Sequence, residues 1–127
     1  MLLTLCKAKI HRGTVTQADL DYVGSITIAR DLMEAAGMLE HERVQVLNRR
    51  SGARLETYVI AGERGSGVIC LNGPAAHHFN PGDIAIIVAY AQMTPEEAAD
   101  WHPTVVFVNE KNEIVRVARE ELPFSTD

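Results

Sequence analysis

Leu3-Thr4-Leu5-Cys6-Lys7-Ala8-Lys9-Ile10-His11 alternates in polarity, with Cys6, Ala8 and Ile10 on one face and Lys7, Lys9 and His11 on the other. Successive side chains of an extended chain point to opposite sides, so a period of two predicts a strand with one buried face. Further along, Val23 to Ile28 is rich in β-branched residues and reads as extended. Val44 to Leu47 and Leu55 to Ala61 form a hairpin around Arg49-Arg50-Ser51-Gly52, and Val68 to Leu71 and Ile84 to Tyr90 are apolar runs bounded by turn residues. Val105 to Val108 and Ile114 to Val117 make a last hairpin across Glu110-Lys111-Asn112.

The helices between these strands are brief. Thr16 with Asp19 three residues later predicts the cap of a helical turn from Gln17 to Asp21, and Asp31 to Ala36 reads as a short helix closed by Gly37. Thr94-Pro95-Glu96-Glu97 combines an N-cap, a first-turn proline and a capping-box glutamate, so a helix runs from Pro95 to about Trp101. Pro123 onward reads as a loose tail. Many short strands with brief helices predict a mainly β fold, a small β-barrel with helical excursions instead of a doubly wound sheet.

The 127 residues fit one domain, 1–127. Hydrophobic residues at 46% and charged residues at 23% argue against a disordered or membrane-spanning chain, and no apolar run approaches the roughly 20 residues that a spanning helix needs. Lys7 and Lys9 interrupt the apolar start before a signal-peptide core forms, so a cytoplasmic protein is expected. A net charge of −5 without a basic block argues against nucleic acid as partner. The cysteines, Cys6 and Cys70, permit at most one disulfide, and in a cytosolic chain they read as two small buried thiols.

Several motifs invite chemistry. Gly62-Glu63-Arg64-Gly65-Ser66-Gly67 lacks the Gly-Lys-Ser/Thr ending of a phosphate loop and precedes a strand, which favours a turn. His77 and His78 are adjacent and point apart, with no acidic or thiol ligand at familiar spacing, so surface or packed histidines are expected and no metal. Cys6 and His11 fall on opposite strand faces, which favours core packing over a nucleophile and its base. The Gly24-Ser25 peptide lies between a turn and a strand with a hydroxyl on its C-terminal side; alone, the pair supplies no more than a permissive torsion and a turn hydroxyl.

Its neighbourhood changes that reading. Lys9-Ile10-His11-Arg12, Thr14-Val15-Thr16, Ala18-Asp19-Leu20, Tyr22-Val23-Gly24-Ser25, Gly52-Ala53-Arg54, Thr57-Tyr58, Gly62-Glu63-Arg64-Gly65-Ser66 and Asn72-Gly73 follow one another in this order. Together they resemble the pyruvoyl-dependent aspartate α-decarboxylases, from about Lys9 to Tyr90, with weaker echoes in Pro95-Glu96-Glu97-Ala98 and the final hairpin.

The resemblance implies a small double-psi β-barrel that assembles as a homotetramer with sites between subunits. It implies a proenzyme that cuts itself between Gly24 and Ser25 into fragments 1–24 and 25–127. Ser25 becomes a covalent pyruvoyl group, which replaces pyridoxal phosphate as the electron sink. The activity implied is decarboxylation of L-aspartate to β-alanine through a Schiff base, for pantothenate and coenzyme A synthesis. The resemblance implies that Thr57, His11 and Asn72 belong to processing, and Lys9, Arg54, Thr57, Asn72, Gly73 and Ala75 to the substrate site. Arg54 suits the retained side-chain carboxylate through its bidentate fork. Tyr58 is the candidate acid for returning a proton to the carbanion, since a phenol is neutral at pH 7 and can donate within a dry site. In a regular strand Thr57 and Tyr58 point oppositely, so either a bulge intervenes or they serve different steps.

The chain departs from the pattern at Gly13, where alanine is usual, at Pro74, which removes an N–H beside the substrate loop while Ala75 keeps its own, and at Leu47, where some relatives carry a large aromatic. Two other readings stand beside it: a pyruvoyl decarboxylase of another acidic amino acid such as glutamate, and an unprocessed, non-catalytic β-barrel binding module.

Overall fold

The alternating N-terminal stretch becomes β1 (Leu3–Thr14) in the computed structural model, which describes residues 1–123. Beyond Pro123, the expected tail lies outside the described residues. Ala8 and Ile10 are fully buried while Lys9 and His11 stay half-exposed, as the period of two requires. The strand is not straight: its register against the neighbouring strand slips between Cys6 and Ala8 and again between Ile10 and Gly13. At the second slip Arg12 takes a left-handed φ of 62°, and a Cβ on Gly13 would lie 2.5 Å from Ile69 Cδ1. Glycine at that departure from the family pattern therefore lets Ile69 pack against β1.

The other strands are β2 (Gln17–Asp19), β3 (Ser25–Ala29), β4 (Arg43–Asn48), β5 (Arg54–Gly62), β6 (Ile69–Asn72), β7 (Ile84–Met93), β8 (Thr104–Val108) and β9 (Ile114–Ala118). They form one nine-stranded sheet in the order β2-β6-β3-β5-β4-β7-β1-β8-β9. The β4–β5 and β8–β9 hairpins are those expected, and β3 lies between an antiparallel β6 and a parallel β5. The protein is mainly β with few short helices, in keeping with a small β-barrel-like fold.

Helix α1 (Arg30–Ala36) ends at Gly37, whose φ of 74° only glycine adopts without strain, and α2 (Pro95–Ala99) opens with the capping box of Thr94 and Glu97. The segment from Gln17 to Asp21 corrects the sequence reading, being strand β2 followed by a turn. The Thr16 hydroxyl, read as a helix cap, donates to the Ile69 carbonyl and accepts from the Ile69 N–H, both at 3.0 Å. A short hydroxyl side chain satisfies strand backbone as readily as helix backbone, and here it pins β2 onto β6.

One hydrophobic cluster joins Ile10, Ile26, Ile28, Leu32, Val46 and Ile87 with their neighbours. Each fully buried Ile or Leu contributes roughly 1.5–3 kcal/mol, so this cluster fixes the strands on which the polar residues below are mounted. Two buried side-chain amides tie the loops to it. Asn112 exchanges hydrogen bonds with the Thr14 backbone and donates to Gly67, while Asn48 donates to the His78 carbonyl and to Asp83.

Candidate active site

Ser25 opens β3 and is fully buried. Directly opposite on antiparallel β6 stands Asn72, and two residues along each strand Thr27 faces Cys70. Cross-strand partners share a sheet face, so these four polar side chains meet. Asn72 Nδ2 donates to Ser25 Oγ at 2.9 Å and to Thr27 Oγ1 at 3.0 Å, and Asn72 Oδ1 accepts from Cys70 Sγ at 3.1 Å. The Ser25 hydroxyl turns back along its own chain and donates to the Val23 carbonyl at 3.1 Å. Burial, and secondarily the charge of Asp19, push the Cys70 thiol up, so its donor proton stays on sulfur at neutral pH.

Behind the serine, Gly24 rests on the segment that follows Asn72. Gly73 has a φ of 65° and opens a 3-10 helix, Gly73–His78, whose Pro74 ring lies 3.7 Å from where a Cβ on Gly24 would stand. Gly24, Ser25, Asn72, Gly73 and Pro74 thus form one contiguous patch, with Ala75 half-buried at its edge.

The parallel β3–β5 ladder pairs Ile26 with Val59, and the step before it is Ser25 on one strand and Tyr58 on the other. Register is unbroken from Leu47 opposite Arg54 to Arg43 opposite Tyr58, so no bulge brings Thr57 and Tyr58 together. Arg54, Glu56 and Tyr58 share a face; Thr57 shares the other with Val44. Exposed Arg54 donates to Gln45 Oε1 at 2.9 Å, an oxygen that also accepts from the Tyr90 hydroxyl at 3.0 Å. Lys9 joins the same face, because it and Gln45 both pair with Val88. Its ammonium contacts Glu121 at 2.7 Å. His11 lies further along β1, edge-on to Phe107 at 5.4 Å between ring centroids. Within one chain, then, Ser25 and Asn72 touch, Tyr58 neighbours them along the ladder, and Lys9 and His11 sit on a strand four places from β3 in the sheet order.

The remaining motifs have structural uses. The glycine-rich segment is a turn whose Gly65 N–H is taken by Asp31 Oδ1 at 2.9 Å, and Arg64 pairs with Glu34. His77 and His78 are exposed. Cys70 is buried and Cys6 half-buried, both as free thiols. Among the described residues no group of three or more His, Cys, Asp or Glu side chains is placed to hold a metal ion, and no helix is long and apolar enough to cross a membrane.

Comparison with known proteins shows the family of the chain. The profile described as Aspartate decarboxylase matches residues 1–115. An aspartate 1-decarboxylase of Acetivibrio thermocellus is 60% identical over 121 residues, which are 95% of this chain and 96% of that one. That of Clostridium beijerinckii is also 60% identical, over 95% of this chain and 98% of its own. That of Carboxydothermus hydrogenoformans is 55% identical over the whole of both chains.

The chain belongs to the aspartate decarboxylase family.

Two polar residues beside Ser25 in this aspartate decarboxylase family member were not singled out from the sequence. Thr27 and Cys70 read as β-branched filler and a packed thiol. Their signal is the spacing of two, Ser25-Ile26-Thr27 and Cys70-Leu71-Asn72, which puts each on the face of its polar neighbour.

Proposed function

We propose that this chain matures by cutting its own Gly24–Ser25 peptide bond and then decarboxylates L-aspartate to β-alanine and CO2 in the cytoplasm. The observation that carries the first step is the fully buried Ser25 hydroxyl, held by Asn72 immediately after Gly24. Attack of Ser25 Oγ on the Gly24 carbonyl carbon forms an ester as the C–N bond breaks, and the hydroxyl proton passes to the Ser25 nitrogen. β-Elimination then releases Gly24 as a carboxylate. The dehydroalanine left at residue 25 takes up water and loses ammonia, which leaves a ketone. Glycine before the serine imposes no side chain on the small ring that the attack requires.

The residues present fit a ketone at this position. Position 25 is fully buried beside the amide donor of Asn72, which also reaches the Thr27 hydroxyl, and such surroundings suit a polar carbonyl better than an apolar filler. A pyruvoyl group at this position would supply a carbonyl for the substrate amine and an electron sink for the pair released as CO2 departs. The chain's own groups do the rest. Arg54 exchanges its neutral Gln45 partner for the side-chain carboxylate that aspartate keeps. Binding that carboxylate, and not the departing one, avoids stabilising the ground state more than the transition state. Lys9, already paired with a carboxylate at Glu121, adds a second cation on the same face. Tyr58 returns the proton.

Thr57 and Tyr58 point to opposite faces of β5, which supports different roles for the two: Thr57, with His11 and Asn72, in processing and also at the substrate site, and Tyr58 as the acid of turnover. Lys9 and His11 are mounted away from β3 in one chain, which fits a site completed between subunits of a homotetramer. Edge strand β9, with Val115 at 63% and Val117 at 48% exposure, offers apolar surface for such assembly. The fitting experiment supplies the purified protein with L-aspartate or L-glutamate and follows CO2 and the ω-amino acid formed. Release from aspartate is expected; turnover of glutamate alone, or of neither, overturns the assignment.

A further inference from the structure

The Asn72 carboxamide can lie in its buried pocket in two orientations that exchange its oxygen and nitrogen. In the orientation present, both amide hydrogens are used, one on Ser25 and one on Thr27, and the carbonyl oxygen takes the Cys70 thiol proton. Reversed, the NH2 group would face a sulfur that accepts poorly, and a buried amide hydrogen would go unsatisfied at about 1–3 kcal/mol. Neither Ser25 nor Thr27 chooses between the two by itself, because a hydroxyl donates or accepts with equal ease. The choice falls to Cys70 on the carbonyl side, and Thr27 satisfies the second amide hydrogen that this orientation presents, a hydrogen that a residue without an acceptor would leave unpaired.

We propose that Thr27 and Cys70 are positioning residues for self-cleavage: Cys70 sets the Asn72 amide so that its NH2 group, not its carbonyl, faces Ser25 Oγ, and Thr27 supports that orientation by accepting the second amide hydrogen. The inference rests on the reading that the chain cuts itself at Gly24–Ser25. Its consequence for the serine is specific. Because Oγ accepts from Asn72, the serine hydrogen must leave in another direction, and it goes back along the chain to the Val23 carbonyl at 3.1 Å. An amide N–H on the attacking oxygen also stabilises the negative charge it acquires as its proton leaves for the Ser25 nitrogen. With the amide reversed, the serine proton would be donated across the sheet to Asn72, away from the peptide bond to be broken. Both positioning residues act through Asn72.

The test is a time course of fragment formation in newly purified protein, read by denaturing mass spectrometry for wild type, Thr27→Val, Thr27→Ser, Cys70→Ala and Cys70→Ser. Thr27→Val keeps the shape and removes the acceptor, so cleavage should slow about tenfold, and Thr27→Ser should restore it although it loses a methyl group. A packing role predicts the reverse order. Cys70→Ala should slow cleavage by a comparable factor, and Cys70→Ser, which keeps a donor, should cleave near the wild-type rate. Thermal melts check that each variant is folded, and the isosteric Thr27 variant decides the matter if Cys70→Ala is not. Wild-type rates in Thr27→Val, or equal rates in the two Cys70 variants, overturn the proposal and leave self-cleavage standing. A wild-type chain that stays intact removes both.

Discussion

Gly73 runs so close to Gly24 that a Cβ built on Gly73 would lie 2.8 Å from Gly24 Cα and 2.9 Å from both Gly24 N and Tyr22 O. Those neighbours are backbone and have no rotamer to yield. The φ of 65° at Gly73 adds strain for any residue with a side chain. Gly73→Ala is therefore expected to displace the 22–24 segment relative to Ser25 and to slow fragment formation about a hundredfold, a few kcal/mol in the barrier. At Gly24 itself a Cβ meets only the Pro74 ring, at 3.7 Å, an ordinary contact. Gly24→Ala should accordingly leave the precursor's melting temperature nearly unchanged, while Gly73→Ala lowers it. Equal melting temperatures for the two variants would contradict this.

Much of this neighbourhood was legible because strand periodicity is local. Ala8, Ile10, Val44 and Val46 are buried where the alternation puts them, and Thr94 with Glu97 forms the capping box that their spacing announces. Thr16 shows where local reading fails. Its hydroxyl suits a helix N-cap, and the partner it finds, Ile69, is 53 residues away and invisible to any local pattern. The same limit hid Thr27 and Cys70, which become polar neighbours only when β3 is paired with β6 in one register. Lys9 and Glu121, 112 residues apart, meet for reasons of the whole fold.

Arg54 lies outside the hydrogen-bonded group around Ser25, and its guanidinium contacts Gln45. Arg54→Ala should process normally and lose about a hundredfold in kcat/KM for aspartate, the usual effect of removing a charged partner from a bound carboxylate. Steady-state kinetics on fully processed protein checks it. An unchanged kcat/KM would mean that another cation holds the substrate.

Tyr58 packs 6.3 Å from His41 between ring centroids, and Phe preserves that ring. With maturation independent of the phenol, Tyr58→Phe should still yield both fragments while β-alanine formation falls roughly 10²- to 10⁴-fold, the range for loss of a general acid. Near-normal product formation by processed protein would assign the proton to another group.

Asp83 accepts from Arg50 Nε and Nη2, from Asn48 and from the Asn80 N–H. The Arg50 guanidinium first, then these amides, hold its carboxyl well below the usual carboxylate range. A carboxylate whose folded pKa is depressed contributes stability that is fully present above its unfolded pKa, about 3.9. That contribution is lost as pH falls through the lower, folded value. Asp83→Asn should lower the melting temperature by roughly 5 °C at pH 7 and by progressively less as the pH drops below about 4. A difference that stays constant between neutral and acid pH would show that the charge of Asp83 is not the cause.

The intact mass of the purified protein under denaturing conditions tests self-cleavage at Ser25 most directly. Two fragments, 1–24 and 25–127, are expected, the larger lighter by one ammonia than the product of simple hydrolysis at Gly24–Ser25. Ser25→Ala should remain one chain. A wild-type protein that persists uncut, or a larger fragment carrying a free serine amine, would contradict the conversion of Ser25 into a ketone.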